Sequence, residues 1–275
     1  MYYFDILRAG RALKTYTIVL GSILLVMLVT TPFSRVSHSN ESVTINGQSV
    51  SGALRGFVLI HQMGQTIHIP FSVLCAIAAF AGILFATGCA TSLSRFNKNL
   101  HFTFTKPVSR ERSTLTTIGT DALTIVAAFA IGLVFALAPI AIVGLLDRLT
   151  FDLQSLAVLV LGLGIAYMWY GIVQAATSVM RGGSGIVLGL SWAVFVVMQG
   201  LQHLSGDFVP PVIVWIIHTF NTINPFIVMN QMFETIGVAD SAVFGPPYVQ
   251  QLAIAYFTAL VGVAIAVTLR KRMAV

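Results

Sequence analysis

The sequence predicts an all-α membrane protein with six transmembrane helices and both termini in the cytoplasm. Hydrophobic residues make up 57% of the chain and charged residues only 9%, which leaves too little polar surface for a water-soluble domain. Six stretches of at least 20 residues contain no Asp, Glu, Lys or Arg, and about 20 apolar residues cross a ~30 Å hydrocarbon core as one helix. These stretches are residues 15–34, 56–94, 122–146, 153–180, 182–206 and 241–269.

The orientation follows from the distribution of basic residues. Twelve of the 15 Lys and Arg residues precede the first stretch or follow the second, fourth or sixth. By the positive-inside rule these loops face the cytoplasm, so we expect one multi-pass domain, residues 1–275, in the plasma (inner) membrane. The net charge of +6 does not indicate nucleic-acid binding, because the basic residues flank spans instead of forming a folded patch.

Residues 1–14 mix apolar side chains with three basic residues. This pattern is typical of an amphipathic helix along the inner membrane surface, which would lead into the first span at an angle. The simpler alternative is a basic flank that only sets topology.

Residues 35–68 form the predicted external loop. Asn46-Gly47 is a turn signal, and Val43, Ile45 and Val50 stand at alternating spacing. The segment therefore predicts a small external hairpin or loop.

Two groups of small residues predict close approach between helices. They are Gly82, Ala86 and Ala90 in the second span and Gly185 and Gly189 in the fifth. Pro139, inside the third span, predicts a kink because proline removes a helical hydrogen bond.

Residues 208–240 contain a further apolar run. A seventh crossing here would place the basic C-terminal residues outside, and the run is interrupted by Pro and Asn residues. The two pieces, residues 212–220 and 226–233, are each about half a bilayer long at ~1.5 Å per residue. We predict a re-entrant or interfacial helical hairpin that enters from outside.

The cytoplasmic loop at residues 95–116 is the most informative polar segment, because it places aromatic side chains among cations. Such a surface is suited to docking into the groove of a partner protein. The residues predicted to form this interface are Lys98, Leu100, Phe102, Phe104, Lys106, Pro107, Arg110 and Arg112.

Within this loop, Thr105-Lys106-Pro107-Val108-Ser109-Arg110 resembles the (T/R)(K/R)PVSR signature in the coupling loop of type-two permeases of ATP-binding-cassette transporters. The resemblance extends to the amphipathic N terminus, the large first external loop and Asn224-Pro225-Phe226. It departs from the family pattern at residues 96–99 and 115–117, where many members have an acidic residue, a Gly-Thr pair and a Lys.

The resemblance implies that the loop docks on a separate ATP-binding-cassette nucleotide-binding subunit. ATP and Mg would then be bound by that partner, with no cofactor in this chain, and two permease copies would form a homodimer or heterodimer. The chain itself lacks a Gly-x-x-x-x-Gly-Lys-[Ser/Thr] phosphate loop, so we do not expect it to be an enzyme.

Ionisable residues within spans are the usual sign of ion or proton relays. Asp121 is the only acidic residue beside a predicted span on the inner side, and we interpret it as an interfacial residue that could pair with Arg110 or Arg112. On this interpretation the spans lack a relay, which argues against an ion-coupled carrier.

Few polar side chains lie within the spans, which favours a lipidic or amphiphilic substrate and an exporter. The candidate translocation path consists of Gln154, Tyr170, Gln174 and Gln199. Five histidines fall at the outer side, but without a metal-ligand spacing, so we predict no metal site. Two alternatives stay open: a non-transporting membrane scaffold or assembly subunit, and an ion-coupled carrier.

Overall fold

The computed structural model describes residues 2–37, 43–45, 48–50, 69–91, 110–143, 146–179, 184–201, 210–234 and 244–272. Within these ranges the fold is a bundle of α-helices with two small pairs of strands. The helices are α1 (Tyr2–Ser37), α2 (Phe71–Ala90), α3 (Arg110–Val143), α4 (Leu153–Val179), α5 (Ser184–Gly200), α6 (Pro211–Thr222), α7 (Pro225–Glu234) and α8 (Pro246–Arg272).

The bundle confirms an all-α, multi-pass membrane protein. In the described part of the chain, α1, α2, α3, α4 and α8 are long and apolar enough to cross a membrane. The predicted fifth span corresponds to α5, whose 17 residues extend about 25 Å at ~1.5 Å per residue, less than a ~30 Å core. A sixth span is counted if α6 and α7 cross together as a bent pair. The choice between α5 and this pair, and the side on which the termini lie, stay predictions.

Helix α1 runs without a break through 36 residues, about 54 Å at ~1.5 Å per residue. The structure therefore differs from the predicted separate interfacial helix that meets the first span at an angle. Its first turns pack against the first turns of α3, which is itself 34 residues long. Helix α3 also continues through Pro139 to Val143.

Helix α4 occupies the centre of the bundle, between α2 and α8. Close approach to α8 depends on glycine: a Cβ at Gly171 would lie 2.6 Å from the Ala259 carbonyl oxygen, and one at Gly262 would lie 2.5 Å from the Gly171 backbone. Such distances are far below van der Waals contact, so both positions require a residue without a side chain.

The small-residue face predicted on α2 is confirmed. Gly82 makes room for the Phe129 ring of α3, because a Cβ at Gly82 would overlap that ring, and Ala86 and Ala90 are fully buried. By contrast, a Cβ at Gly185 or Gly189 of α5 would meet nothing within 4 Å.

Two short pairs of strands lie outside the bundle. Strands β1 (Val43–Ile45) and β2 (Gln48–Val50) pair antiparallel with Val43 opposite Val50, as the alternating residues around Asn46-Gly47 predicted for a hairpin. Strands β3 (Ile69–Pro70) and β4 (Leu149–Thr150) pair in parallel and hold the start of α2 beside the start of α4.

The predicted pair of short helices before the last span is present as α6 and α7. Their axes differ by 58° at the break, so the pair is bent. Asn224 fixes this bend: its Oδ1 accepts the backbone N–H of Phe226, which caps α7, and Pro225 occupies the first helical position. Its Nδ2 donates to the Phe195 carbonyl of α5 at 3.0 Å.

A cluster of aromatic rings joins the bent pair to α4 and α5. Trp169 is fully buried, and its ring lies 5.2 Å from Trp192 and 5.3 Å from Phe226, measured between centroids. Stacked and edge-to-face pairs at these distances contribute beyond their buried area.

Candidate functional site

The predicted docking loop lies mostly outside the described residues. This holds for Lys98, Leu100, Phe102, Phe104, Lys106 and Pro107. Arg110 begins α3, and Arg112 is exposed in the first turn of that helix. The last turn of α2 and the first turns of α3, which the loop connects, lie at the same end of the bundle as the first turns of α1 and the last turns of α4 and α8. We call this the loop end of the bundle.

A buried ion pair joins α1 to α3 at the loop end. Arg8 Nη2 donates to Asp121 Oδ1 at 2.5 Å, and Asp121 is 2% exposed. The second carboxylate oxygen accepts a hydrogen bond of 2.8 Å from the Tyr170 hydroxyl of α4. Asp121 therefore connects three helices, and both of its oxygens are engaged.

The same face of α1 makes a second buried contact with α3. Thr117 Oγ1 donates to Asp5 Oδ1 at 3.1 Å, and Asp5 is buried. Ile6 and Leu7, in contrast, are exposed. Asp5 and Arg8 therefore contact α3, while the neighbouring Ile6 and Leu7 face outward.

A second set of buried polar contacts joins α4 to α8. Together with the contacts of Asp5, Arg8, Asp121 and Tyr170 described above, we call it the cluster. Arg270 is 2% exposed, and its Nη2 donates to Gln174 Oε1 and to Thr177 Oγ1, each at 2.7 Å. Gln174 is fully buried, and within the described part of the chain neither its Nε2 nor Arg270 Nη1 has a hydrogen-bond partner. The charged residues of the cluster are Asp5, Arg8, Asp121 and Arg270, two of each sign, and all are buried except Arg8, a quarter of whose side chain is exposed.

These contacts correct one interpretation of the sequence. Asp121 is buried and pairs with Arg8 of α1, whereas the sequence suggested Arg110 or Arg112 as its partner. Asp121 and Arg270 adjoin the charge-free stretches 122–146 and 241–269, so the absence of an ion relay within the spans stays a prediction.

From the sequence, Asp5 and Arg8 belong to a predicted amphipathic helix and Arg270 is one of the basic residues that set the topology, so none of them is expected in a buried cluster. One signal could have identified part of the cluster: Ser113, Thr117 and Asp121 follow one another at intervals of four, so they lie on one face at the start of α3. All three are buried.

The structure divides the candidate translocation residues. Tyr170 and Gln174 lie one turn apart on α4 and both belong to the cluster. Gln154 stands at the opposite end of α4, about 30 Å from Gln174 at ~1.5 Å per residue, and Gln199 lies near the end of α5. The structure therefore brings together two of the four.

A cleft of about 490 Å³ runs between α1 and α2 and ends at the cluster. Its walls are apolar except at the loop end, where Arg8 and Asp121 line it, and along α1, where Thr15 and Tyr16 do. The Tyr16 hydroxyl is buried and has no hydrogen-bond partner in the described part of the chain. The geometry is that of an elongated apolar site with an ionic end.

Comparisons with protein-family models, with curated proteins and with solved structures gave no match.

Proposed function

We propose that the chain is the permease subunit of an ATP-driven transporter, an exporter of lipidic or amphiphilic substrates. A separate ATP-binding-cassette subunit would dock on the loop at residues 95–116 and supply the energy. One observation carries the proposal: the loop with the sequence Thr105–Arg110 enters α3 only eleven residues before Asp121, the centre of the buried cluster.

The position of the cluster supports a coupling role. A rigid helix transmits a displacement of its first turn along its axis, and the first four turns of α3 carry Thr117 and Asp121. Movement of the loop by a partner would therefore act on α1 through Arg8 and on α4 through Tyr170. Coupling of this kind requires that these bonded groups switch between two arrangements, and the proposal assigns that switch to Asp121 and its two partners.

The test is reconstitution of the chain with the ATPase that co-purifies with it. In proteoliposomes, we expect substrate-stimulated ATP hydrolysis to fall at least five-fold in Phe104→Ala and Arg110→Ala. Phe151→Ala is the matched control, since Phe151 is an exposed aromatic residue before α4, at the opposite end of the bundle. Unchanged hydrolysis in both loop variants would contradict the proposal.

The buried charges favour an ion-coupled carrier as the second candidate, because intramembrane ionisable groups accompany proton and ion pathways. The two candidates differ in their energy source. A carrier would drive flux in vesicles that hold this chain alone under a proton or sodium gradient. The permease would show flux only with its ATPase and ATP.

A further inference from the structure

The cleft between α1 and α2 has the dimensions of a site for one hydrocarbon chain. Between Arg8 and Ile23, its ends on α1, the helix rises about 22 Å at ~1.5 Å per residue, more than one leaflet of a ~30 Å core. Its volume of about 490 Å³ holds roughly 16 groups of about 30 Å³, the volume of a water molecule and close to that of a methylene.

The cleft is open to the surface along its length. Val19, Ile23 and Leu84 line it and are each exposed by more than 40%. Gly88 also lines it, and a Cβ there would meet no atom within 4 Å. Because these residues lie within helices long and apolar enough to span, the opening faces the lipid-exposed side of the bundle.

The charges at the polar end of the cleft indicate which kind of head group a bound lipid would carry. The polar end of the cleft contains Arg8, and the same turns of α1 expose Arg11 and Lys14. The acidic side chains described at this end of the cleft, Asp5 and Asp121, are both buried in the cluster, so the charge that these turns of α1 expose is positive.

We propose that this cleft binds one acyl chain of an anionic membrane lipid, with the lipid phosphate beside the basic turns of α1. Tyr16 also lines the cleft, but its hydroxyl is buried beside Gly132 of α3, so the head group is held by the basic turns of α1 alone. The site goes beyond the proposed transport function. It requires neither the ATPase nor substrate movement, so either proposal can fail without the other.

The test uses the full chain in nanodiscs that contain phosphatidylglycerol with a photoreactive diazirine at the middle of one acyl chain. After irradiation, we expect the cross-linked peptides to map to the cleft walls, residues 15–23 of α1 and 81–89 of α2. A phosphatidylcholine probe with the same chain should label these peptides at least three-fold less.

Gly88→Phe and Gly119→Phe form the matched pair of variants. Among the described residues, no atom lies within 4 Å of a Cβ built at either glycine, and of the two only Gly88 lines the cleft. We expect Gly88→Phe to reduce cleft labelling at least five-fold and Gly119→Phe to leave it within two-fold of the unmodified chain. Labelling spread evenly over exposed faces, equal labelling in the two variants or equal labelling by the two probes would each overturn the proposal.

Discussion

Arg8 and Asp121 lie 113 positions apart in the chain, yet the Arg8 guanidinium is bonded to the Asp121 carboxylate at 2.5 Å. This contact fixes the first turns of α1 against those of α3. Tyr170 then joins the same carboxylate to α4, which makes Asp121 the point where three helices meet.

Asp121→Asn should destabilise the protein, because it leaves the Arg8 cation without its anionic partner. Breaking a buried ion pair from one side costs about 3 to 5 kcal/mol, and we expect about 3 kcal/mol here because a quarter of the Arg8 side chain is exposed. Thermal unfolding of the purified chain in detergent measures the effect.

Asp147→Asn is the control for this prediction, since Asp147 forms an exposed ion pair with Arg148 and should change stability by less than about 1 kcal/mol. The double variant Arg8→Gln with Asp121→Asn should recover part of the loss, because neither member of the pair is then left charged without the other. Additive losses in the double variant would show that the two residues do not interact.

Gly171→Ala should separate α4 from α8. The added methyl group would lie 2.6 Å from a backbone carbonyl oxygen, and backbone atoms cannot move aside as a flexible side chain does. We expect a lower yield of monodisperse protein and a loss of about 1 to 3 kcal/mol. Gly189→Ala, at a position with open space, should be neutral or slightly stabilising because alanine favours helix. Equal stability of Gly171→Ala and Gly189→Ala would contradict the close packing of α4 against α8.

The helical segments and the break between α6 and α7 could be predicted from the sequence, because hydrophobic length and proline are local properties. The partners of Asp121 could not. The sequence offered the nearby Arg110 and Arg112, whereas the structure uses Arg8 from another helix. The spacing of residues within one segment does not indicate which helices will pack against each other.

The burial of Arg270 is a second feature that could not be predicted from the sequence. The positive-inside rule only counts the basic residues on each side of the membrane, so it assigns Arg270 and Lys271 the same role. Helical rotation separates them: Arg270 points into the bundle and is buried, while Lys271 is exposed. Their difference depends on the packing of α8 against α4.

Gln174→Leu should weaken the contact between α4 and α8. Leucine cannot accept the hydrogen bond that Arg270 donates to Gln174 Oε1, so a buried cation loses one of its acceptors. The expected loss is about 1 to 3 kcal/mol, measured by thermal unfolding in detergent. Gln250→Leu, at an exposed position of α8, is the matched control and should have little effect. An equal loss in both variants would indicate that the Arg270 contact contributes nothing.

Asn224→Ala should loosen the bent pair from α5. The change removes both the cap of α7 and the bond to the Phe195 carbonyl, and the expected loss is about 1 to 3 kcal/mol. Asn224→Asp keeps an oxygen for the cap but loses the Nδ2 donor, so its stability should lie between those of Asn224→Ala and the unmodified protein. Asn230→Ala, exposed on α7, tests the loss of an asparagine without these contacts. The ranking is contradicted if Asn230→Ala is as damaging as Asn224→Ala.

A cysteine at position 104 tests the sidedness of the loop on which the transport proposal depends. The two native thiols should not react with a maleimide label, because Cys75 is fully buried and Cys89 is 9% exposed. We expect a membrane-impermeant maleimide to label Phe104→Cys in inverted membrane vesicles and not in intact cells. Ser49→Cys, in the strand hairpin after α1, should show the opposite pattern. A partner ATPase reaches only the cytoplasmic side, so labelling of position 104 from outside would exclude the permease and leave the ion-coupled carrier, whose mechanism needs no cytoplasmic dock.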